Sequence, residues 1–316
     1  MNNRRSFIIG IKSTKLSVKE KKFLKKYKPW GVILFTRNIK NIEQASNLTF
    51  SIRKIFQDKK YPILIDQEGG RVNRLKNIIS FDNLTSEFFG KEYIKNRKKF
   101  KFFYKLFVDK ISYLLKLIGA NINTVPVLDL RIKGASNIIG NRSFSKNPKI
   151  VSKIGDYCIK NFHQNRIGTV IKHIPGHGCS TSDSHLTTPK VKEKYKILNK
   201  VDFFPFKSNC SLFAMTAHIV YLDIDKKNVA TFSKKIIKEI IRRKFNFKGI
   251  LISDDISMQA LRYDIITNAK KSISAGCNLV LYCAGNIKDN LKLIKSVPFI
   301  DKFTSKKTSE IYKILR

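Results

Sequence analysis

The residues with most chemical scope in this 316-residue chain stand in short polar stretches, each directly behind an apolar run. Asp254 lies in Ser253-Asp254-Asp255-Ile256-Ser257-Met258, behind the run at 249–253. A carboxylate placed there can act as nucleophile, general base or metal ligand. The plain alternative is that one of the two aspartates caps the following helix. Two adjacent aspartates can also divide these tasks, with Asp254, nearer the run, taking the chemistry. A second stretch, 172–185, holds His173, His177, Asp183 and His185. Asp183 and His185 are two apart in an extended loop, so they point the same way and can share a hydrogen bond. The carboxylate would orient the imidazole and raise its basicity, giving an acid/base near neutral pH. Three histidines and an aspartate also suit zinc, although their spacing matches no closed zinc motif, and the His177 ring can simply brace the Pro-Gly turn. In the third stretch Asp66, Glu68, Arg71 and Arg74 surround Gly69-Gly70. Asp66 suits a two-oxygen grip on adjacent hydroxyls. The double glycine allows a sharp turn but is no dinucleotide fingerprint. Lys172 and His173 can bind hydroxyls or an acyl oxygen of a sugar; a solvated surface lysine is the bland reading, since a buried one needs a partner. Arg142 is a candidate long-range clamp, Asp129 a candidate organiser of its loop, His218 a supporting group, and Trp30 core or mouth packing.

The elements that must position these groups follow from an alternation. Eight apolar runs, at 7–11, 31–35, 62–66, 120–125, 168–172, 212–216, 249–253 and 278–282, are continuous rather than alternating, as strands covered by helices on their outer side read. Helix-like segments lie between them, near 17–26, 42–57, 91–117, 147–165, 193–200, 233–244, 265–275 and 287–296. In 42–57, Ile42, Ala45, Leu48 and Ile52 recur at three- and four-residue steps, and Ser233 is a candidate N-cap. Eight such units predict an α/β fold, a single (β/α)8 TIM barrel, as one catalytic domain over 1–316 with a short C-terminal helical extension at about 300–316. A doubly wound sheet is the competitor. A barrel places chemistry just past its strand C-termini, where the polar stretches fall.

Lys plus Arg number 63 against 23 Asp plus Glu, a net charge of +40. That invites a nucleic-acid partner. The lysines recur in nearly every helical segment, however, where a phosphate-binding face would form one stripe or tail. A sequence-wide drift toward Lys, Asn, Ile and Phe accounts for them, and no specific nucleic acid is expected. With 42% hydrophobic residues the chain can bury a core, which excludes wholesale disorder. Five cysteines, an odd number with no C-x-x-C pair, read as reduced thiols. The N-terminal apolar stretch is short for a signal peptide and no run suffices for a span, so the expectation is a cytoplasmic protein with no membrane partner.

In order, the stretches GVILFTRNI (31–39), LIDQEGGRVNRL (64–75), PVLDL (126–130), GNRSF (140–144), KHIPGHGCSTSDSHLTTP (172–189), FAMTAHIVY (213–221) and FKGILISDDISMQAL (247–261) resemble the bacterial β-N-acetylhexosaminidases of glycoside hydrolase family 3, the NagZ type. The resemblance spans nearly the whole chain; the histidine stretch together with SDDISM is its most specific part. It implies a retaining glycosidase with Asp254 as nucleophile, forming a covalent glycosyl–enzyme. His185 would be the acid/base, assisted by Asp183, in place of the usual second carboxylate, on a loop that closes over substrate. Asp66, Arg74, Arg142, Lys172 and His173 would bind the N-acetylglucosamine unit. The implied substrate is a cell-wall fragment bearing 1,6-anhydro-N-acetylmuramic acid, with or without peptide, in cytoplasmic peptidoglycan recycling. No metal or cofactor is implied, and a monomer is expected. The chain departs from the family in the segment after Arg74, at Gln259 and at Asn278, where acidic residues are usual. Rival readings are another family 3 β-glycosidase, such as a β-glucosidase, and a catalytically silent basic binding protein.

Overall fold

Along each long apolar run, successive side chains enter two different apolar environments. Ile8, Ile33, Leu64, Val170, Met215 and Ile252 join one buried cluster, while their neighbours Phe7, Ile9, Val32, Leu34, Ile63, Ile65, Ile171, Ala214 and Leu251 join another. A strand whose two faces are both dry must be wrapped by helices on one side and face other strands on the other. The computed structural model, which describes residues 3–132, 134, 137–180, 187–207 and 211–315, has that form. Its strands are β1 (Arg5–Gly10), β2 (Pro29–Leu34), β3 (Ile63–Ile65), β4 (Ile122–Asn123), β5 (Gly168–Ile174), β6 (Lys190–Val191), β7 (Phe213–Thr216), β8 (Val220–Tyr221), β9 (Ile250–Asp255) and β10 (Leu279–Tyr282). Eight of them close a parallel barrel in the order β1-β10-β9-β7-β5-β4-β3-β2. These eight correspond to the eight runs expected from the sequence. The remaining two, β6 and β8, pair outside the barrel. The strand at β4 is shorter than the run at 120–125. Asn121 and Asn123 explain this, because their side-chain amides bond the backbone at Tyr61, Ile63 and Gln67 around it.

Helices α1 (Val18–Tyr27), α2 (Ile42–Phe56), α3 (Ser86–Lys95), α4 (Arg97–Leu117), α5 (Pro148–Gln164), α6 (Tyr195–Lys200), α7 (Ile265–Ala275), α8 (Ile287–Leu293) and α9 (Lys302–Ile314) fall near the predicted segments, except that α3 starts at Ser86, ahead of the segment expected from 91, where Thr85 accepts the Phe88 N–H, and with two further refinements. The segment 91–117 breaks at Asn96, whose extended backbone and side-chain oxygen, accepting the Lys99 N–H, start α4 afresh. The segment 233–244 winds as a π-helix over Ile236–Lys244, with the Ser233 hydroxyl accepting the Ile236 N–H.

The last helix closes the floor of the barrel. Ile311 and Leu315 join the barrel-interior cluster, and Thr308 accepts the Trp30 indole N–H at 2.9 Å. Trp30 therefore packs at the closed N-terminal end, not at the mouth. That leaves the C-terminal ends of the strands as the open face. Among the described residues no helix is long and apolar enough to cross a membrane.

Candidate active site

Strand ends bring four of the sequence-predicted residues to one cavity of about 150 Å³, and Arg74 and Arg142 join them from the loops behind β3 and β4. Asp66 follows β3, Lys172 and His173 end β5, and Asp254 ends β9; Arg74 reaches in from the loop behind β3. Asp183 and His185 lie outside the described residues, as does Cys210.

Lys172 is 2% exposed, which overturns the bland reading of a surface lysine. It lies 3.1 Å from Asp66 Oδ1, 2.7 Å from Glu68 Oε1 and 3.0 Å from Thr124 Oγ1. Asp66 also accepts the Thr124 hydroxyl and lies 3.4 Å from Arg74 Nη2. Burial opposes ionisation of Asp66, but Lys172 and Arg74 outweigh it and hold the carboxyl well below its ordinary range. Arg142 grips Glu68 through two parallel bonds of 2.8 Å. Against the cost of burial, Arg142 and Lys172 bring the Glu68 carboxyl down to about 2. The Asp66 and Glu68 carboxylates are thus ionised at neutral pH.

Asp129 organises the second half of the site. It is fully buried and takes the backbone N–H groups of His173, at 3.1 Å, and of His177, at 2.8 Å. It also lies 2.6 Å from His173 Nδ1. An ionised carboxylate only accepts, so Nδ1 carries the proton and Nε2 is turned to Asp254, 4.0 Å from Oδ2. The His177 ring stands edge-on to His173, and burial lowers its imidazole to about 4, keeping it neutral.

The two adjacent aspartates have separate tasks. Asp255 accepts from Ser257 N–H, Ser257 Oγ and Cys283 N–H, so it organises the turn. Helix α7 is capped by Asp264 instead. The side chain of Asp254 takes the Asp255 N–H on Oδ1 and keeps Oδ2 toward the cavity wall formed by His173. Burial opposes its ionisation, yet His173, His218 and the Asp255 N–H together hold it below its ordinary value. His218 supports the turn from behind: its Nε2 donates to the Asp255 carbonyl at 3.0 Å.

Three contributors have no site role that the sequence shows. Glu68 was visible as the alternate residue after Asp66, which in an extended chain faces the same way. Thr124 carried no signal in a run read as strand. Asp202 carried none either. It is fully buried in the stem of the histidine loop, accepting the N–H groups of Gly178 and Cys179. Gly178 is obligatory there, since a Cβ would lie 2.7 Å from Asp202 Oδ1 and 2.6 Å from the Leu130 carbonyl. Burial and the Asp129 charge lift the Asp202 carboxyl to about 7. Among the described residues no group of three or more His, Cys, Asp or Glu is arranged to hold a metal ion; the zinc reading also needs Asp183 and His185.

Fold and site together define a (β/α)8-barrel enzyme whose mouth offers charged, fixed hydrogen-bonding groups to a polyhydroxylated ligand. The model of the glycosyl hydrolase family 3 N-terminal domain matches residues 8–304. A β-hexosaminidase of Haemophilus influenzae is 34% identical over 306 residues, covering 93% of this chain and 85% of that protein. One of Nitrosomonas eutropha is 35% identical over 261 residues, 80% of this chain and 73% of its own. The crystal structure of NagZ from Neisseria gonorrhoeae in complex with N-trifluoroacetyl-D-glucosamine superimposes with a TM-score of 0.86 at 30% identity, covering 98% of this chain and 90% of that one. A β-N-acetylglucosaminidase from Paenibacillus shares the fold, with a TM-score of 0.86 at 22% identity, and this chain spans 60% of its length. The chain belongs to glycoside hydrolase family 3, among its bacterial β-N-acetylhexosaminidases.

Proposed function

We propose that this enzyme is a retaining β-N-acetylhexosaminidase that removes terminal β-linked N-acetylglucosamine from cell-wall fragments ending in 1,6-anhydro-N-acetylmuramic acid. The observation that carries the reading is Asp254: a half-buried carboxylate at a strand end, held below its ordinary value, on the wall of the cavity that holds Asp66, Lys172, Arg142 and His173. In the first step an Asp254 oxygen attacks the anomeric carbon, and the bond to the leaving oxygen breaks. His185, oriented by Asp183, gives its proton to that oxygen. In the second step His185 takes a proton from water, whose oxygen displaces Asp254 and restores the carboxylate. Asp66, Arg74, Arg142, Lys172 and His173 hold the sugar. Their charged donors and acceptors suit ring hydroxyls and an acetamido oxygen, and the Neisseria relative was solved with an acylated glucosamine. No cofactor enters these steps. The enzyme acts as one catalytic domain, as a monomer, and in the cytoplasm, where such fragments would be recycled.

The test is a comparison of substrates. Hydrolysis of an aryl β-N-acetylglucosaminide far above that of the matching β-glucoside, with the β-anomer of N-acetylglucosamine as first product by NMR, supports the reading. Preference for the glucoside, or an inverted first product, contradicts it.

A further inference from the structure

Glu68 makes no hydrogen bond or ion pair with Asp254 among the described residues, yet its carboxylate joins two of the pocket's cations. Its side chain is 3% exposed. Oε2 takes Arg142 Nε at 2.8 Å, and Oε1 takes both Arg142 Nη2 at 2.8 Å and Lys172 Nζ at 2.7 Å. The fork-to-fork pairing fixes the plane of the guanidinium as well as its place. The Lys172 ammonium lies 2.7 Å from Glu68, 3.1 Å from Asp66 and 3.0 Å from Thr124. The Glu68 backbone is itself held, its N–H and that of Gly69 both donating to the Val72 carbonyl. Gly69, at φ +96°, closes this turn so tightly that a Cβ would lie 2.3 Å from the Leu84 carbonyl. A rigid turn therefore presents one carboxylate to two cations that arrive from different elements, the loop behind β4 and the end of β5.

The local charges make the consequence calculable in direction. Asp66 and Glu68 face Lys172, Arg142 and Arg74. Without Glu68, Asp66 would be the one carboxylate ion-paired with any of these cations among the described residues, Asp129 and Asp254 acting on them from farther away, and Arg142 and Lys172 would repel each other in a poorly solvated space. Both would relax away from their present positions.

We infer that Glu68 is a positioning residue for sugar affinity: it fixes the Arg142 guanidinium and the Lys172 ammonium at the spacing that receives the sugar, without itself taking part in bond making. This rests on the reading that those two cations hold the sugar. They would do so in the ground state and the transition state alike, so loss of Glu68 should raise KM much more than it lowers kcat.

The experiment uses the full-length enzyme with Glu68→Ala and Glu68→Gln. It measures steady-state kinetics on an aryl β-N-acetylglucosaminide, calorimetric Kd for N-acetylglucosamine, and thermal melting. KM and Kd are expected to rise roughly 10- to 100-fold, with kcat falling about fivefold at most. Formate can enter the space vacated in Glu68→Ala, so it should restore part of the affinity where chloride at equal ionic strength does not. An unchanged Kd, a fall in kcat as large as the rise in KM, or equal effects of formate and chloride would overturn the assignment. If the alanine variant does not fold, the Glu68→Gln values of KM, kcat and Kd decide alone. Wild-type enzyme that neither hydrolyses the aryl substrate nor binds N-acetylglucosamine would instead refute the proposed function, and the role of Glu68 with it.

Discussion

Replacing Asp129 by Asn removes a single charge where three N–H groups converge. The carboxylate accepts from the His173 backbone, the His177 backbone and His173 Nδ1, at 3.1, 2.8 and 2.6 Å. The amide keeps one acceptor oxygen and turns an NH2 group toward the remaining donors. Hydrogen bonds to a buried charge contribute about 1.5–3 kcal/mol each, and breaking a buried pair from one side costs about 3–5 kcal/mol. A loss of about 3 kcal/mol, against an unfolding entropy of about 2.1 cal/mol/K per residue over 316 residues, predicts a fall in Tm of roughly 4–5 °C. The functional effect has a separate cause. The Asn amide can donate to His173 Nδ1, which moves the ring proton to Nε2 and alters the group facing Asp254. A fall in kcat/KM of roughly 10- to 100-fold should accompany the loss of stability. The pH dependence has a definite sign. Burial acts to raise the Asp129 carboxyl, but His173 and the backbone N–H outweigh it, so the folded value is depressed. Its stabilisation is complete above the unfolded value near 4 and is lost as pH falls through the folded value. Melting followed by circular dichroism should therefore show the gap between wild type and Asp129→Asn narrowing in acid. A variant with unchanged Tm and unchanged kcat/KM would refute the role given to this carboxylate.

The other predictions concern neighbouring groups. Asp254→Asn should lower kcat on the aryl β-N-acetylglucosaminide by about 10³-fold or more. Asp255→Asn should act mainly on stability, by about 1 kcal/mol, because its bonds serve the turn; equal kinetic loss in both variants would contradict the division of tasks. Burial and the Asp129 charge raise Asp202 to about 7, so its contribution is present below the unfolded value and lost as pH rises through 7. Wild-type Tm should therefore fall more steeply than that of Asp202→Asn between pH 5 and 8, and parallel melting curves would count against it. At the barrel floor, the Tyr312 hydroxyl accepts from Arg4 at 2.8 Å and donates to Asp58 at 2.6 Å. Tyr312→Phe should cost about 1 kcal/mol in chemical denaturation while leaving kcat/KM untouched.

Barrel strands were legible because their dryness on both faces leaves continuous apolar runs, and a fixed strand count leaves few closed arrangements. The break at Asn96 and the shortening of β4 were not, because both depend on where a side-chain amide goes rather than on periodicity. Within the site, Asp66, Lys172, His173 and Asp254 were found from one rule, that chemistry sits just past strand ends. Sequence alone does not decide between core and mouth for Trp30, because its place depends on which end α9 closes. Long-range partners were the blind spot. Arg142 is 74 residues from Glu68 and Lys172 is 106 from Asp66, and no local pattern announces such pairs. Asp202 was invisible for the same reason: it stands alone among apolar residues, and its importance comes from the loop stem folded over it. The departure at Asn278 is absorbed structurally, its side-chain oxygen accepting from Arg242 and from the Leu251 N–H.

The most direct test of the account is to trap the covalent intermediate. Incubation with a slow fluorinated acetamido-sugar, followed by proteolysis and mass spectrometry, should place the label on the peptide containing Asp254, with fragmentation assigning it to that carboxylate. A label on Asp255, on Asp66 or on no protein residue, under conditions where the enzyme turns over its aryl substrate, would contradict Asp254 as the nucleophile.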